Sequence, residues 1–398
     1  MIVSLESVSS QVDYDLEFFD SIENVNPILW DNILDNRNIY LSIPYLRALE
    51  TSLKMYDFKY IVFYNQAKEP IGISYCQIIK ITSADIDTAA LVQRMGGMLP
   101  LNIIKRIDLR VLICGNAFAS GENGFLFNKG FETQHAINLV NKAIEEIHEY
   151  EKKRGKKISI TLIKEFWPAS FEAIGYLKNK GCLEINIDVN MVLTLKEQWT
   201  QFDDYLNAMN SKFRTKAKQV FQKSSRIEIR KFTEETIRIH LDEIDTLYHT
   251  MVDRANFSFG RLNATTLLSV KKALGDDFYF NGYFIDNKLI GFSTATHFDN
   301  VLDGNFIGLD YDFNQEFAMY QRMLYDFVAH AIQVKATYVR IGRTAEEIKS
   351  GIGALPVEMK FYAKHRNKIK NALLKPFVNK LEPNNFELRK PFKSEYYR

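Results

Sequence analysis

A chain of 398 residues is too long for one hydrophobic core of ordinary size and leads us to expect two domains. With 46% hydrophobic and 25% charged residues it has the composition of a globular protein, which excludes large-scale disorder. A net charge of +2 gives no ground for a DNA partner; the basic residues matter where they cluster.

Cys76, Cys114 and Cys182 are isolated and form no C-x-x-C pair, so neither a disulfide framework nor a metal site is expected, and a reducing compartment fits. The opening MIVSLESVSSQVDYDLEFFD is acidic and lacks the basic-then-apolar order of a secretory signal. No apolar stretch approaches the roughly 20 residues that span a bilayer. A cytoplasmic protein is the expectation.

In chain order, a helix is predicted from about Leu41 to Leu53, with Ser42 as cap and Pro44 in its first turn. Phe58 to Tyr64 and Ile71 to Ile79 read as an antiparallel hairpin about the polar turn Asn65–Glu69. After a segment rich in Gly and Met, Val111 to Cys114 reads as a buried strand. A loop with Gly121, Gly124 and Gly130 then leads to a helix near Glu132, where Ile137, Val140, Ile144 and Ile147 share one face. The basic turn Lys152–Gly155 ends it, and Ile158 to Thr161 begins another strand.

The second half opens on a basic helix near Asn207 to Lys223, with Phe213 and Phe221 turned inward. It then repeats the plan. Phe278 to Ile285 and Leu289 to His297 form a hairpin about Asp286-Asn287. A strand from Asn305 to Tyr311, a polar loop, a helix from Ala318 to Gln333 and a strand from Thr337 to Ile341 follow. Ile71-Gly72-Ile73-Ser74 matches Ile290-Gly291-Phe292-Ser293, and Ile113-Cys114-Gly115 matches Phe306-Ile307-Gly308. These repeats suggest two domains, 1–195 and 196–365, and a basic tail over 366–398. From Lys364 onward ten Lys and Arg face three Glu. Pro376 is expected to interrupt any helix there.

A hairpin running into strand, helix and strand resembles the core of the GNAT superfamily. Its tandem use resembles the Fem-type aminoacyl transferases and the related peptidoglycan biosynthesis and recognition group. The resemblance covers about Ile39 to His365. It is carried by LSIPYLRALE (41–50), LICGNAFASGENGF (112–125), SKFRTKAKQV (211–220) and VRIGRTAEEIKSGIGALP (339–356). It implies an α/β (α+β) chain of two tandem GNAT-like domains, each a mixed, mostly antiparallel sheet flanked by helices. It also implies transfer of an acyl group from a thioester or an aminoacyl ester to an amine. GNAT enzymes place a glycine-containing loop before the central helix, where backbone N–H groups bind the coenzyme A pyrophosphate. Here the second-half loop, Asp312 to Phe317, has no glycine. Gly121, Gly124, Asn314 and Gln315 are therefore the candidates for donor binding.

Acyl transfer to an amine needs a base for the nitrogen, donors for the oxyanion and a proton for the leaving group. His297 and Asp310 are candidate bases, and Tyr311 is a candidate donor to the departing thiolate. Arg343 offers a fork for carboxylate or phosphate, with Glu347 or Glu346 as a further base and Lys349 as partner. The same run also reads as a capping box, Thr344 with Glu347. Lys212 and Arg214 on the basic helix could meet phosphate, and the basic, apolar tail an anionic membrane surface.

Three functions follow. The first is N-acylation of an amine, including a lipid-like one, from acyl-CoA or an acyl carrier protein. The second is a Fem-type transfer from aminoacyl-tRNA to a cell-wall precursor. The third is a GNAT-fold binding protein without catalysis.

Overall fold

The computed structural model describes residues 14–83, 108–186, 189–254, 260–378 and 385–397. Most of the Gly- and Met-rich segment lies outside them. Strands of the first half are β1 (Asp15–Phe19), β2 (Asp57–Tyr64), β3 (Pro70–Thr82), β4 (Asp108–Cys114), β5 (Phe125–Phe127), β6 (Ile160–Phe166) and β7 (Leu183–Ile185). They are followed by β8 (Val189–Thr194), β9 (Glu228–Lys231), β10 (Phe278–Ile285), β11 (Lys288–Phe298) and β12 (Val301–Leu309). The last three are β13 (Tyr338–Arg340), β14 (Leu355–Glu358) and β15 (Lys360–His365).

Two mostly antiparallel sheets result, flanked by helices. The first runs β1-β2-β3-β4-β6-β15-β7, with β5 also on β3, and the second runs β9-β10-β11-β12-β13-β8-β14. Read side by side, the orders correspond strand for strand. In each sheet the fourth strand meets the one after the long helix in parallel, β4 with β6 and β12 with β13. The last strand of each half is exchanged. β8 leaves the first half to lie between β13 and β14, and β15 leaves the second half to lie between β6 and β7. Both domains expected from the sequence thus lend a strand across residue 195.

The matched glycines explain part of the repeat. Each hairpin carries a bulge at the same place, beside Phe63 in one and Tyr283 in the other. A Cβ on Gly72 would sit 2.4 Å from the Phe127 ring, and one on Gly291 would sit 2.7 Å from Met319 and Met323. The second match, Gly115 with Gly308, does not hold. Ile73 faces Leu126 as Phe292 faces Gly308, so Leu126 takes the place of Gly308. The strand equivalent to β12 is broken into β4 and β5 by the excursion 115–124, which replaces the two-residue irregularity at Asn305-Phe306.

The long helices behave as their apolar stripes require. Thr133–Lys153 buries Ile137, Val140, Ile144 and Ile147 on the first sheet, and Met319–Gln333 buries Met323, Leu324, Phe327 and Val328 on the second. Ser42 does cap the helix Ile43–Ser52, with Pro44 in its first turn. The polar stretch before Ala318 is a helix, Tyr311–Phe317, and Ala318 in the left-handed region (φ 53°) turns it into the next one. β12 begins at Val301, four residues before the expected start. Thr344 (φ 62°) and Ala345 (φ 50°) are both left-handed, so the expected capping box does not form and Ala345 precedes the helix Glu346–Ser350 without a side-chain cap. The helix Lys368–Val378 runs through Pro376 and ends two residues after it, so the interruption expected there comes only at the end of the helix. Phe392 packs over Gly353, and the Tyr396 hydroxyl donates to the Thr194 carbonyl at 2.7 Å, tying the end of the chain to the second sheet. Among the described residues, no helix is long and apolar enough to cross a membrane.

The domains share a core. Tyr40, Leu46 and Leu49 from the first half cluster with Leu267, Val270 and Phe280 from the second. An ion pair also joins them. Glu165 is fully buried, and its Oε1 meets the Arg343 guanidinium and, at 3.2 Å, Lys164 Nζ. By the register of the parallel pairs, Glu165 and Arg343 are equivalent positions of the two halves. Equivalent positions touch only near a two-fold relation, so this pair marks the pseudo-symmetry axis.

Two tests follow from this arrangement. Fragments 1–195 and 196–398 each lack a strand from inside a sheet, so each is expected to be insoluble alone and to form a soluble pair when co-expressed. Soluble, cooperatively melting single fragments would contradict the exchange. Glu165→Ala should destabilise the chain by about 3–5 kcal/mol, since it strands two buried cations. Arg343→Ala should cost less, because Lys164 still answers Glu165. Urea denaturation of both variants reads the difference.

Candidate active site between the domains

A line of buried polar groups runs through the interface from the ion pair. The Gly121 N–H donates to Glu165 Oε2 at 3.2 Å, which draws the 115–124 excursion inward. Lys349 is buried and its ammonium donates to the Arg343 carbonyl, which the left-handed Thr344-Ala345 turn presents to it. Burial pushes Lys349 down to about 7 and Arg343 down to about 10. Burial, and then the Arg343 charge, hold Lys164 well below the usual ammonium range.

Arg340, at the end of β13, lies over the Trp167 ring at 4.6 Å. It pairs in register with Asp303 of β12. Asp303 is 3% exposed, and its Oδ2 accepts from the Tyr40 hydroxyl at 2.7 Å across the interface. Asn305 Nδ2 donates to the same Tyr40 oxygen at 2.8 Å, and Thr296 Oγ1 donates to Asn305 Oδ1 at 2.6 Å. Each donor in this chain points toward Asp303. Burial raises the Asp303 carboxyl to about 6, against the opposing pull of Arg340 and the Tyr40 hydrogen bond. Burial and then the Asp303 charge push the Tyr40 phenol well up, so it stays a donor at neutral pH. Beside it, Asn116 of the excursion donates to the Tyr45 hydroxyl at 2.8 Å.

An apolar cleft adjoins this network, walled by Tyr45, Leu49, Phe118, Leu267, Val270 and Phe306, with Tyr40, Thr296 and Asn305 at its polar end. Its free space is about 10 Å³, close to the least that holds one water molecule. Next to the cleft, β12 and β13 pair only from Val301 to Asp303, because β13 ends at Arg340. Among the described residues no strand pairs with 304–309 on that side, which leaves alternate backbone N–H groups facing the gap.

The sequence candidates fall into separate places. Arg343 and Lys349 belong to the interface line. Glu347 is on the outer side and is held by Arg389 of the chain's last segment. Asp310 caps the helix Tyr311–Phe317, accepting from the Asp312 N–H at 3.1 Å, and pairs with Lys288 at 3.2 Å. The Tyr311 hydroxyl donates to Met251 Sδ at 3.0 Å, under the Arg254 guanidinium. His297 faces Leu302, whereas Gly291 faces Leu309 beside Asp310, so His297 and Asp310 are about 20 Å apart along the strands. Gly121 donates its N–H to Glu165 and lies against the Trp167 ring, and Gly124 packs on the Cys114–Gly115 backbone. Asn314 Oδ1 accepts the Tyr320 N–H at 2.9 Å, capping the Met319–Gln333 helix with the chain's own side chain. Gln315 lies in the short helix before it. Lys212 is exposed, and Arg214 donates to the carbonyls of Asn207 and Met209. Sequence reasoning missed Asp303, Tyr40, Arg340 and Glu165, whose contacts are made across the interface by residues far away in the chain.

No protein-family model matches the chain, and no curated protein matches it. Solved structures do. The crystal structure of FemX is similar at 11% identity with a TM-score of 0.55, covering 90% of this chain and 100% of that one. A tandem GNAT protein from the clavulanic acid biosynthesis pathway is similar at 9% identity with a TM-score of 0.52, covering 89% and 99%. Together with the doubled, strand-exchanged sheets, these likenesses identify the architecture: the chain has the tandem GNAT, Fem-like fold.

Proposed function

We propose that this chain is an acyltransferase that moves an acyl group from a thioester, carried by coenzyme A or an acyl carrier protein, to an amine presented to Asp303 at the domain interface. The observation that carries the reading is Asp303: a buried carboxyl near pKa 6, held by Tyr40 of the other half at the last paired position of β12 and β13. A base near neutral pH can strip an ammonium in the bound state and remains mostly ionised at pH 7. Asp303 takes the ammonium proton and releases it to solvent; the freed amine nitrogen bonds to the acyl carbon, the carbon–sulfur bond breaks, and the second proton that the nitrogen sheds passes through Asp303 to the departing thiolate. Backbone N–H groups on the open side of β12 are suited to the oxyanion. Asp303 is favoured over Asp310 and His297, because those two are far apart and Asp310 already serves Lys288 and a helix start.

A second reading, transfer from an aminoacyl ester of tRNA to a cell-wall precursor, is favoured by one observation. The Tyr320 N–H at the start of the Met319–Gln333 helix, where a coenzyme A pyrophosphate would sit, is taken by Asn314. The exposed basic residues of the helix Ser211–Lys223 offer phosphate contacts for the same reading. Native mass spectrometry with acetyl-CoA, palmitoyl-CoA and aminoacyl-tRNA separates the two. Retention of a thioester supports the first, and retention of tRNA alone supports the second.

Asp303→Asn should lower turnover by about 10²–10⁴-fold while keeping the acceptor oxygen for Tyr40. The wild-type rate should fall as pH drops below about 6, where Asp303 takes up its proton. Tyr40→Phe removes a hydrogen bond that lowers this pKa, so the acid limb should move to higher pH. Stability runs the other way. A folded carboxyl at about 6, against a usual 3.8, favours folding at low pH and loses that contribution as pH rises from about 4 through 6. Above pH 6 the buried charge costs about 3 kcal/mol, so Asp303→Asn should be more stable than wild type at pH 8 and closer to it at pH 4. Thermal melts at the two pH values check this; an Asn variant with full activity would remove Asp303 from the mechanism.

A further inference from the structure

The helix Lys368–Val378 is built inside out for a soluble protein. Ile369, Ala372, Leu373 and Pro376, spaced i, i+3, i+4 and i+7, all face solvent, with Ile369 73% and Leu373 64% exposed. Asn371 anchors the opposite face. Its Nδ2 donates to the Gly181 carbonyl at 2.9 Å, and its Oδ1 accepts the His365 N–H at 2.8 Å. The helix is thus seated by a polar residue on the edge of the first sheet, beside β7 and β15. Lys368 and Lys375 flank the apolar stripe on one side and Lys370 on the other, and all three are exposed. Between Glu358 and Glu382 the chain carries seven Lys and Arg and no acid. Other strongly exposed large apolar residues, Ile28, Met55 and Ile239, come singly from separate elements.

We infer that this helix is a docking surface for an anionic lipid bilayer. An apolar stripe with a row of lysines on each flank can lie in the plane of a membrane, the stripe entering the acyl boundary and the ammonium groups meeting lipid phosphates. The charge decides the occupant. A second copy of the chain would bring Lys368, Lys370 and Lys375 against the same three charges, whereas an anionic lipid surface neutralises them. The inference goes beyond the transferase reading, and binding is measured without donor or acceptor, so either can fail alone.

The test is co-sedimentation of the full chain with vesicles of phosphatidylglycerol in phosphatidylcholine, and with phosphatidylcholine alone. The full chain is expected to pellet with the anionic vesicles and to be released as salt rises. Ile369→Asp with Leu373→Asp should weaken binding at least about tenfold. Lys368→Gln, Lys370→Gln and Lys375→Gln together should remove the preference for anionic lipid, and all five side chains are exposed, so thermal melts should match wild type. Failure to pellet at low salt, binding unchanged by either set of substitutions, or equal binding to phosphatidylcholine alone would overturn the inference. So would self-association in sedimentation equilibrium that the Ile369/Leu373 variant abolishes, because the stripe would then be covered by a second copy.

Discussion

The reciprocal exchange of β8 and β15 governs this molecule. Each sheet holds, between two of its own strands, a strand delivered by the other half, so neither half can complete its hydrogen bonding alone. Hydrogen bonds inside a sheet are lost together when an interior strand leaves. The interface between the halves is therefore fixed by main-chain bonding on both sides before any interfacial side chain contributes. An ordinary inter-domain surface, free to slide, could not hold a hydrogen-bonded carboxyl in a defined position across it.

That rigidity allows the interface to carry groups that oppose folding. Asp303, Glu165, Lys164, Arg343 and Lys349 are ionisable and largely withdrawn from water, and most have pKa values displaced in the direction burial demands. Glu165 and its two cations compensate one another. Asp303 is different, because the Tyr40 hydrogen bond and the Arg340 charge recover only part of its desolvation cost. A carboxyl left poised near neutral pH, at a stability cost the strand exchange can absorb, is the usual mark of a group kept for chemistry.

Much of the architecture is legible locally. The two hairpins declare themselves by β-prone runs around turn residues, and Asp286 and Asn287 do take the left-handed conformation such a two-residue turn needs. Gly72 and Gly291 could be matched because each answers the same local constraint, a neighbour too near for a side chain. The match of Gly115 to Gly308 fails because the 115–124 excursion breaks one copy of the strand, and motif spacing does not reveal an insertion. The strand exchange is invisible because β8 and β15 look like any short strand, and their sheets are chosen by distant partners. Asp303 and Glu165 escape for the same reason. Asp303 is buried by Tyr40, 263 positions away, and nothing in Val301-Leu302-Asp303 foretells it.

The two copies have divided the work, and the register shows how. Position 303 in the second copy corresponds to Ile113 in the first, and position 340 to Leu162. The carboxyl and the arginine that modulates it therefore belong to one copy, while the first places aliphatic core residues there. In return the first copy supplies Tyr40 and the excursion that brings Asn116 to Tyr45 and Gly121 to Glu165. At the axis itself the copies cannot be identical, since two like charges would face each other in a buried site. One contributes Glu165 and the other Arg343, so opposite charge at equivalent positions turns a repulsion inherent in duplication into the ion pair that joins the halves. A duplicated chain with the same residue at both places would have to bury two acids or two guanidinium groups together, and divergence at the axis is the physical condition for the shared site to exist.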